Sequence, residues 1–200
     1  MTFLDIVTHT KKLHTFFAIQ GTPTPLSIHS DTDMSIKRAT VDYEDNIDFI
    51  DAITFYKVDA DVENTAIYLK YGKQYKILIS ATKDCWVRFL ATKEMCHIYL
   101  DQNEEDMTTD VLDLIGKIVS GQMRINALET DINSNIPSEY LTILFAFELL
   151  MPYKFNYLLE DVAKTSYEIA DMFKIPEAIV DMCRVDWYIN LRKEAYKRLS

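Results

Sequence analysis

The sequence predicts an α+β protein: helices, a small antiparallel sheet, then more helices. Three observations carry that class. From Phe55 to Ile79 the apolar period is two, and two β-rich runs flank the glycine-containing turn Tyr71-Gly72-Lys73, the pattern of a hairpin. On both sides of this stretch apolar residues recur at helical spacing. Only 4 Gly and 5 Pro punctuate 200 residues, which favours long regular elements.

Taken in order, Thr2 to Ile19 places Phe3, Ile6, Val7, Leu13, Phe16 and Phe17 as the apolar side of an amphipathic helix. Gly21-Thr-Pro-Thr-Pro25 breaks it, and a polar connector runs to about residue 42. Tyr43 to Ile53 reads as a second helix, with Ile47, Ile50 and Ile53 on one side. Phe55 to Val58 is a short strand, and Thr65–Lys70 and Gln74–Ile79 are the arms of the hairpin. Ser80 to Asp84 supplies capping side chains for a helix over Trp86–Asp101. Gln102–Asp106 is an acidic loop, Thr108–Met123 a helix and Asn126–Asn135 a polar loop. The next helix begins at Pro137 and runs through Leu150 until Pro152 stops it. The tail reads as helices over Tyr157–Phe173, Glu177–Arg184 and on to about Leu199.

Hydrophobic residues make up 48% of the chain, including 10 Phe and 12 Tyr, enough to build a real core. The net charge of −10 repels phosphate backbones, which argues against direct nucleic-acid binding. The N-terminal stretch does not read as a signal peptide, because Asp5 interrupts its apolar run and Lys11-Lys12 follows that run. No apolar run reaches the ~18 residues of a membrane span. Three cysteines, Cys85, Cys96 and Cys183, with no C-x-x-C pair suit free thiols in a cytoplasm.

The residues with chemical potential lie at Lys93-Glu-Met-Cys-His97. Residues four apart share a helix face, so Lys93 and His97 project together. The outline is H-E-x-x-H with lysine for the first histidine; in the full motif two imidazoles reach one zinc ion and the glutamate acts as general base. Taken by spacing alone, ordinary roles outweigh a metal site. His97 then reads as a hydrogen-bonded core histidine, Glu94 as solvated or salt-bridged, and Lys93 as snorkelling or paired. Glu139 reads as a first-turn acid favoured by the helix dipole. Ser166 to Arg184 has helix-turn-helix spacing, but its second helix carries Glu177 and Asp181 against Arg184, so it reads as packing or protein contact.

The flanks add a resemblance. Arg88-Phe89-x-x-x-Lys93-Glu94-Met95-Cys96-His97-Ile98-x-Leu100 resembles the R-F-x-x-A-H-E-L-G-H-x-L-L segment of the ImmA/IrrE-type metallopeptidases. Glu139 to Pro152, with Phe145-Ala146 and Glu148-Leu149-Leu150-Met151, is similar to that family's E-x-x-A-N-x-F-A-x-E-L-L-M-P segment. Ser166 to Val180 resembles the short helical pair that follows in the family, so the likeness spans about residues 45 to 185. It implies a small sheet packed on a zincin-like helical core, with a C-terminal helical tail. The implied layout is an N-terminal helix and connector over 1–42, a metallopeptidase-like domain over 43–153 and a helical subdomain over 154–200.

Carried over, the resemblance makes Glu94 the general base and His97 and Glu139 zinc ligands. Lys93 stands where the first histidine ligand belongs. An ammonium has no lone pair to give and can itself neutralise Glu94 and Glu139. Cys96 replaces a glycine and is a possible substitute ligand, but it lies about 100° around the helix from His97. Thr142-Ile143 replaces the A-N pair. The implied protein is a degenerate, non-cleaving member with no cofactor, binding a protein such as a helix-turn-helix repressor of a phage or mobile element. Two alternatives remain, an active zinc endopeptidase cleaving a repressor or regulator, and a structural or assembly subunit that reuses the fold.

Overall fold

The computed structural model describes residues 3–16, 52–58, 64–72, 74–100 and 138–199. Helix α1 (Phe3–Phe16) is followed by strands β1 (Ala52–Lys57), β2 (Thr65–Tyr71) and β3 (Gln74–Ser80), then helices α2 (Asp84–Leu100) and α3 (Ser138–Leu150). A 3-10 turn (Tyr153–Phe155) leads into α4 (Tyr157–Glu160), α5 (Ser166–Phe173), α6 (Glu177–Cys183) and α7 (Asp186–Arg198). The α+β class holds for these residues, with helix predominating. The sequence-predicted connector, the helix over 43–51, both loops between 102 and 135, the helix over Thr108–Met123 and the position of Pro137 lie outside the described residues.

The sheet is mixed and not antiparallel throughout. Its order is β1-β3-β2, with β1 parallel and β2 antiparallel to β3. The cause lies in β3, whose alternate residues Tyr75, Ile77 and Ile79 are buried, so that it takes the centre with both edges paired. The turn at Gly72, where φ is +63°, brings β2 to one edge. β1 takes the other edge, and since β2 runs back between them in sequence, β1 and β3 point the same way. Ala52 and Ile53, read as the end of a helix, belong to β1, continuing the period-two pattern of Thr54-Phe-Tyr56.

The helix expected over Trp86–Asp101 forms as α2, whose first turn is closed by the Lys83 carbonyl accepting from the N–H groups of Trp86 (3.0 Å) and Val87 (3.1 Å). Every residue from Phe89 to Ile98 is buried, as in a helix covered on all sides. The sheet covers one side of α2 and α3 the other. α1 packs on α3 and α7, so one core cluster runs from Phe3, Ile6 and Val7 through Phe89 and Phe147 to Tyr196.

The single helix expected over Tyr157–Phe173 is split in two. Asp161 accepts from the Ala163 N–H at 2.9 Å, which favours a turn over helix continuation. Thr165 and Glu168 then form a reciprocal capping box that starts α5 afresh. α5 ends at Lys174 in the left-handed region (φ +53°), and Pro176 prevents its continuation. Ile169, Phe173, Ile179 and Val180 turn the α5–α6 pair into the core, in keeping with packing. No described helix is long and apolar enough to cross a membrane.

Candidate functional site

The seam between α2 and α3 carries buried charge. Lys93, Glu94, His97, Glu139 and Thr142 are each no more than 6% exposed. Helical spacing brings Lys93 and His97 to the same side of α2, and Glu139 and Thr142, three apart, to the facing side of α3. The Lys93 ammonium donates to Glu139 Oε2 at 2.7 Å and lies 2.9 Å from Glu94 Oε1. The Glu94 contact is a second ion pair to the same ammonium. His97 Nε2 is 2.9 Å from Glu139 Oε1 and 3.1 Å from Thr142 Oγ1. Thr142 gives its one hydroxyl proton to the Glu139 carbonyl at 2.9 Å, so it can only accept from the imidazole, and Nε2 carries a hydrogen. Tyr68 of β2 lies beside the imidazole, with ring centroids 6.3 Å apart.

The electrostatics follow from burial opposed by pairing. Burial disfavours the Lys93 ammonium, but the charges of Glu94 and Glu139 together outweigh it and hold its pKa above the ordinary lysine value. Burial pushes the Glu94 carboxyl above the usual range despite the pull of Lys93 and His97. Glu139 is held below that range: burial acts upward, but the His97 hydrogen bond and the Lys93 charge win. The stable state is therefore an ammonium set between two carboxylates, with Glu94 the more readily protonated.

These side chains, as arranged, do not fit a zinc ion. Catalytic zinc takes three protein ligands with free lone pairs plus water. Here His97 Nε2 is a donor, both Glu139 oxygens already accept, and the ammonium occupies the space between the carboxylates. Cys96 does not compensate, because burial and the neighbouring Glu94 charge push its thiol well up, and the neutral thiol is a poor ligand. Among the described residues no group of three or more His, Cys, Asp or Glu side chains could hold a metal ion.

Sequence reasoning missed a second buried cluster, on the opposite side of α3. Glu148 Oε1 accepts from Arg192 Nε and from the Tyr188 hydroxyl, both at 2.7 Å, and Oε2 accepts from Tyr196 at 3.0 Å. Arg192 Nη1 donates to Asn156 Oδ1 at 3.1 Å, and Nη2 donates to the Met151 carbonyl. The guanidinium also lies over the rings of Phe147 and Tyr153, 5.3 and 5.6 Å from their centroids. Glu148 and Arg192 are both fully buried, so this cluster binds α7 to α3 and is structural in character. The signal was available: an acid inside a long apolar run needs a buried cation.

Arg88 has the opposite condition. Its Nε and Nη2 are buried with no hydrogen-bond partner among the described residues, and burial lowers its pKa to about 10. No protein-family profile matches the chain, and neither does any curated protein or solved structure.

Proposed function

We propose that the chain is a catalytically degenerate protein of the ImmA/IrrE-like metallopeptidase type, with a zincin-like core, that binds a protein partner without cleaving it. The observation that carries this reading is the Lys93 ammonium, within 2.9 Å of both Glu94 and Glu139. A metallopeptidase needs a metal-bound water beside its general base. In this site a fixed cation neutralises the base position and the carboxylate of the remaining ligand position, and the cluster is shut away from solvent. The motif likeness supplies the partner class: a helix-turn-helix repressor or related regulator of a phage or mobile element, met in the cytoplasm.

Lys93→His tests the reading. The wild-type protein is expected to lose all zinc on mild dialysis and to show no zinc-dependent rise in melting temperature. Lys93→His is expected to retain zinc, and the double variant with Glu139→Ala to lose it again. Stoichiometric zinc held by the wild type, and lost on Glu139→Ala, overturns the proposal. Mixing with a repressor from the genome that encodes the chain should give a complex with both chains intact; cleavage fragments would favour an active peptidase.

A further inference from the structure

Between Asn64 and Lys83 the chain carries four lysines, Lys70, Lys73, Lys76 and Lys83, and no Asp or Glu. Taking these four from the 21 Lys and Arg leaves 17 against 31 Asp and Glu in the rest of the chain. The charge is therefore segregated, with a cationic hairpin on an acidic body. Lys70, Lys76 and Lys83 are exposed, and among the described residues none of them has a carboxylate within ion-pair distance. In the tail, Lys174 pairs with Asp171, Lys193 with Glu160 and Arg198 with Glu194, while the exposed Lys154 lies over the Phe155 ring.

Lys70 and Lys76 of the hairpin sit against tyrosine rings. Lys76 Nζ is 5.1 Å from the Tyr71 centroid, and Lys70 Nζ is 5.8 Å from that of Tyr75. Tyr71 is 58% exposed. The register pairs Tyr71 with Gln74 and Leu69 with Lys76, which puts Tyr71 and Lys76 on the sheet face opposite the buried Tyr75, Ile77 and Ile79. On β1, Tyr56 pairs with Leu78 on that same face and is 43% exposed. Among the described residues, the outer face thus offers the unpaired Lys76 ammonium next to the accessible rings of Tyr71 and Tyr56, while the exposed Lys70, paired in register with Tyr75, adds a second ammonium from the other face near the hairpin end.

We propose that this hairpin, β2–β3, is a docking surface for a glutamate- or aspartate-rich segment of a partner protein that also bears apolar side chains. Charge complementarity selects an acidic partner, and Tyr56 and Tyr71 supply apolar contact beside the charges. A protein segment fits better than a nucleic acid. A nucleic acid continues its charge beyond the patch, with one negative charge per ~1.7 Å of duplex, onto a body dominated by acids. A short acidic segment ends where the lysines end. The proposal rests on the hairpin alone and is independent of the peptidase reading.

The experiment is fluorescence anisotropy of the full chain with three labelled probes: a glutamate-rich peptide with interspersed leucines, its lysine-rich counterpart and a single-stranded oligodeoxynucleotide. The glutamate peptide is expected to bind, with affinity falling roughly tenfold from low to physiological salt as exposed charges are screened. Lys70→Glu with Lys76→Glu is expected to weaken binding at least about tenfold while leaving the melting temperature within a few degrees, since both residues are exposed. Should that variant fail to fold, Lys70→Gln with Lys76→Gln carries the same expectation. Absence of glutamate-peptide binding, equal binding by the variants, or tighter binding of the lysine peptide or the oligonucleotide overturns the proposal.

Discussion

Replacing Lys93 with methionine keeps an unbranched side chain, one atom shorter, and removes its charge. The ammonium lies 2.7 Å from Glu139 and 2.9 Å from Glu94. At an effective dielectric of ~20 each contact carries about 6 kcal/mol of gross attraction. Desolvation of the ammonium offsets much of that sum, and its removal recovers the offset. What remains in Lys93→Met is a pair of buried carboxylates without their cation, and breaking a buried ion pair on one side costs about 3–5 kcal/mol. For a chain of this size that corresponds to a fall in melting temperature of about 6–20 °C. Urea unfolding at neutral pH measures it directly. Combining Lys93→Met with Glu94→Gln and Glu139→Gln should recover at least half of the loss, because the buried charges are then gone together. A loss below about 1 kcal/mol in the single variant, or no recovery in the triple, would refute the reasoning by showing that the cluster behaves as a hydrated surface pair.

The two glutamates should respond oppositely to pH. Glu139, with a lowered folded pKa, contributes stability that is present above about pH 4.5 and is lost as pH falls through the folded value, so Glu139→Gln should be most damaging near neutral pH and least in acid. Glu94, with a raised pKa, contributes stability that is full below about pH 4.5 and is lost as pH rises through its folded value, so Glu94→Gln should compare best with the wild type near neutral pH. Chemical unfolding across about pH 2 to 8 separates them, and parallel profiles for the two variants would contradict the assignment. Arg192→Ala should cost about 3–5 kcal/mol by leaving Glu148 buried and unpaired, while Arg184→Ala, at a part-buried site, should cost less; calorimetric melts rank them, and equal losses would count against the buried cluster.

Features set by local spacing were legible in the sequence. The hairpin about Gly72, the helix from Asp84, the stop before Pro152 and the shared face of Lys93 and His97 all follow from periods and turn residues within a few positions. The parallel pairing of β1 was not legible, because register between strands separated by more than a dozen residues leaves no local trace. The break at 161–165 was carried by Asp161 and by Thr165 with Glu168, a capping box hidden inside an otherwise helical pattern. Thr142, which stands where the resembled segment has alanine, holds His97 and Glu139 in place through its hydroxyl. Arg192 sits in a polar helix whose pattern suggests solvent, and only a glutamate 44 positions away buries it.

Glu139 and Glu148 lie nine positions apart on α3, which at about 100° per residue is two and a half turns. One therefore faces Lys93 and His97 and the other faces Arg192, on opposite flanks of a single helix. A helix keyed in this way cannot rotate or slide to repair a change in length. Inserting or deleting one residue between the two glutamates turns one of them through about 100° and strands its cation in the core. The nine-residue interval is thus a constraint in its own right, separate from the identity of the residues within it. It also mechanically couples the tail to the seam, since the grip of α7 on Glu148 sets the angle at which Glu139 meets Lys93.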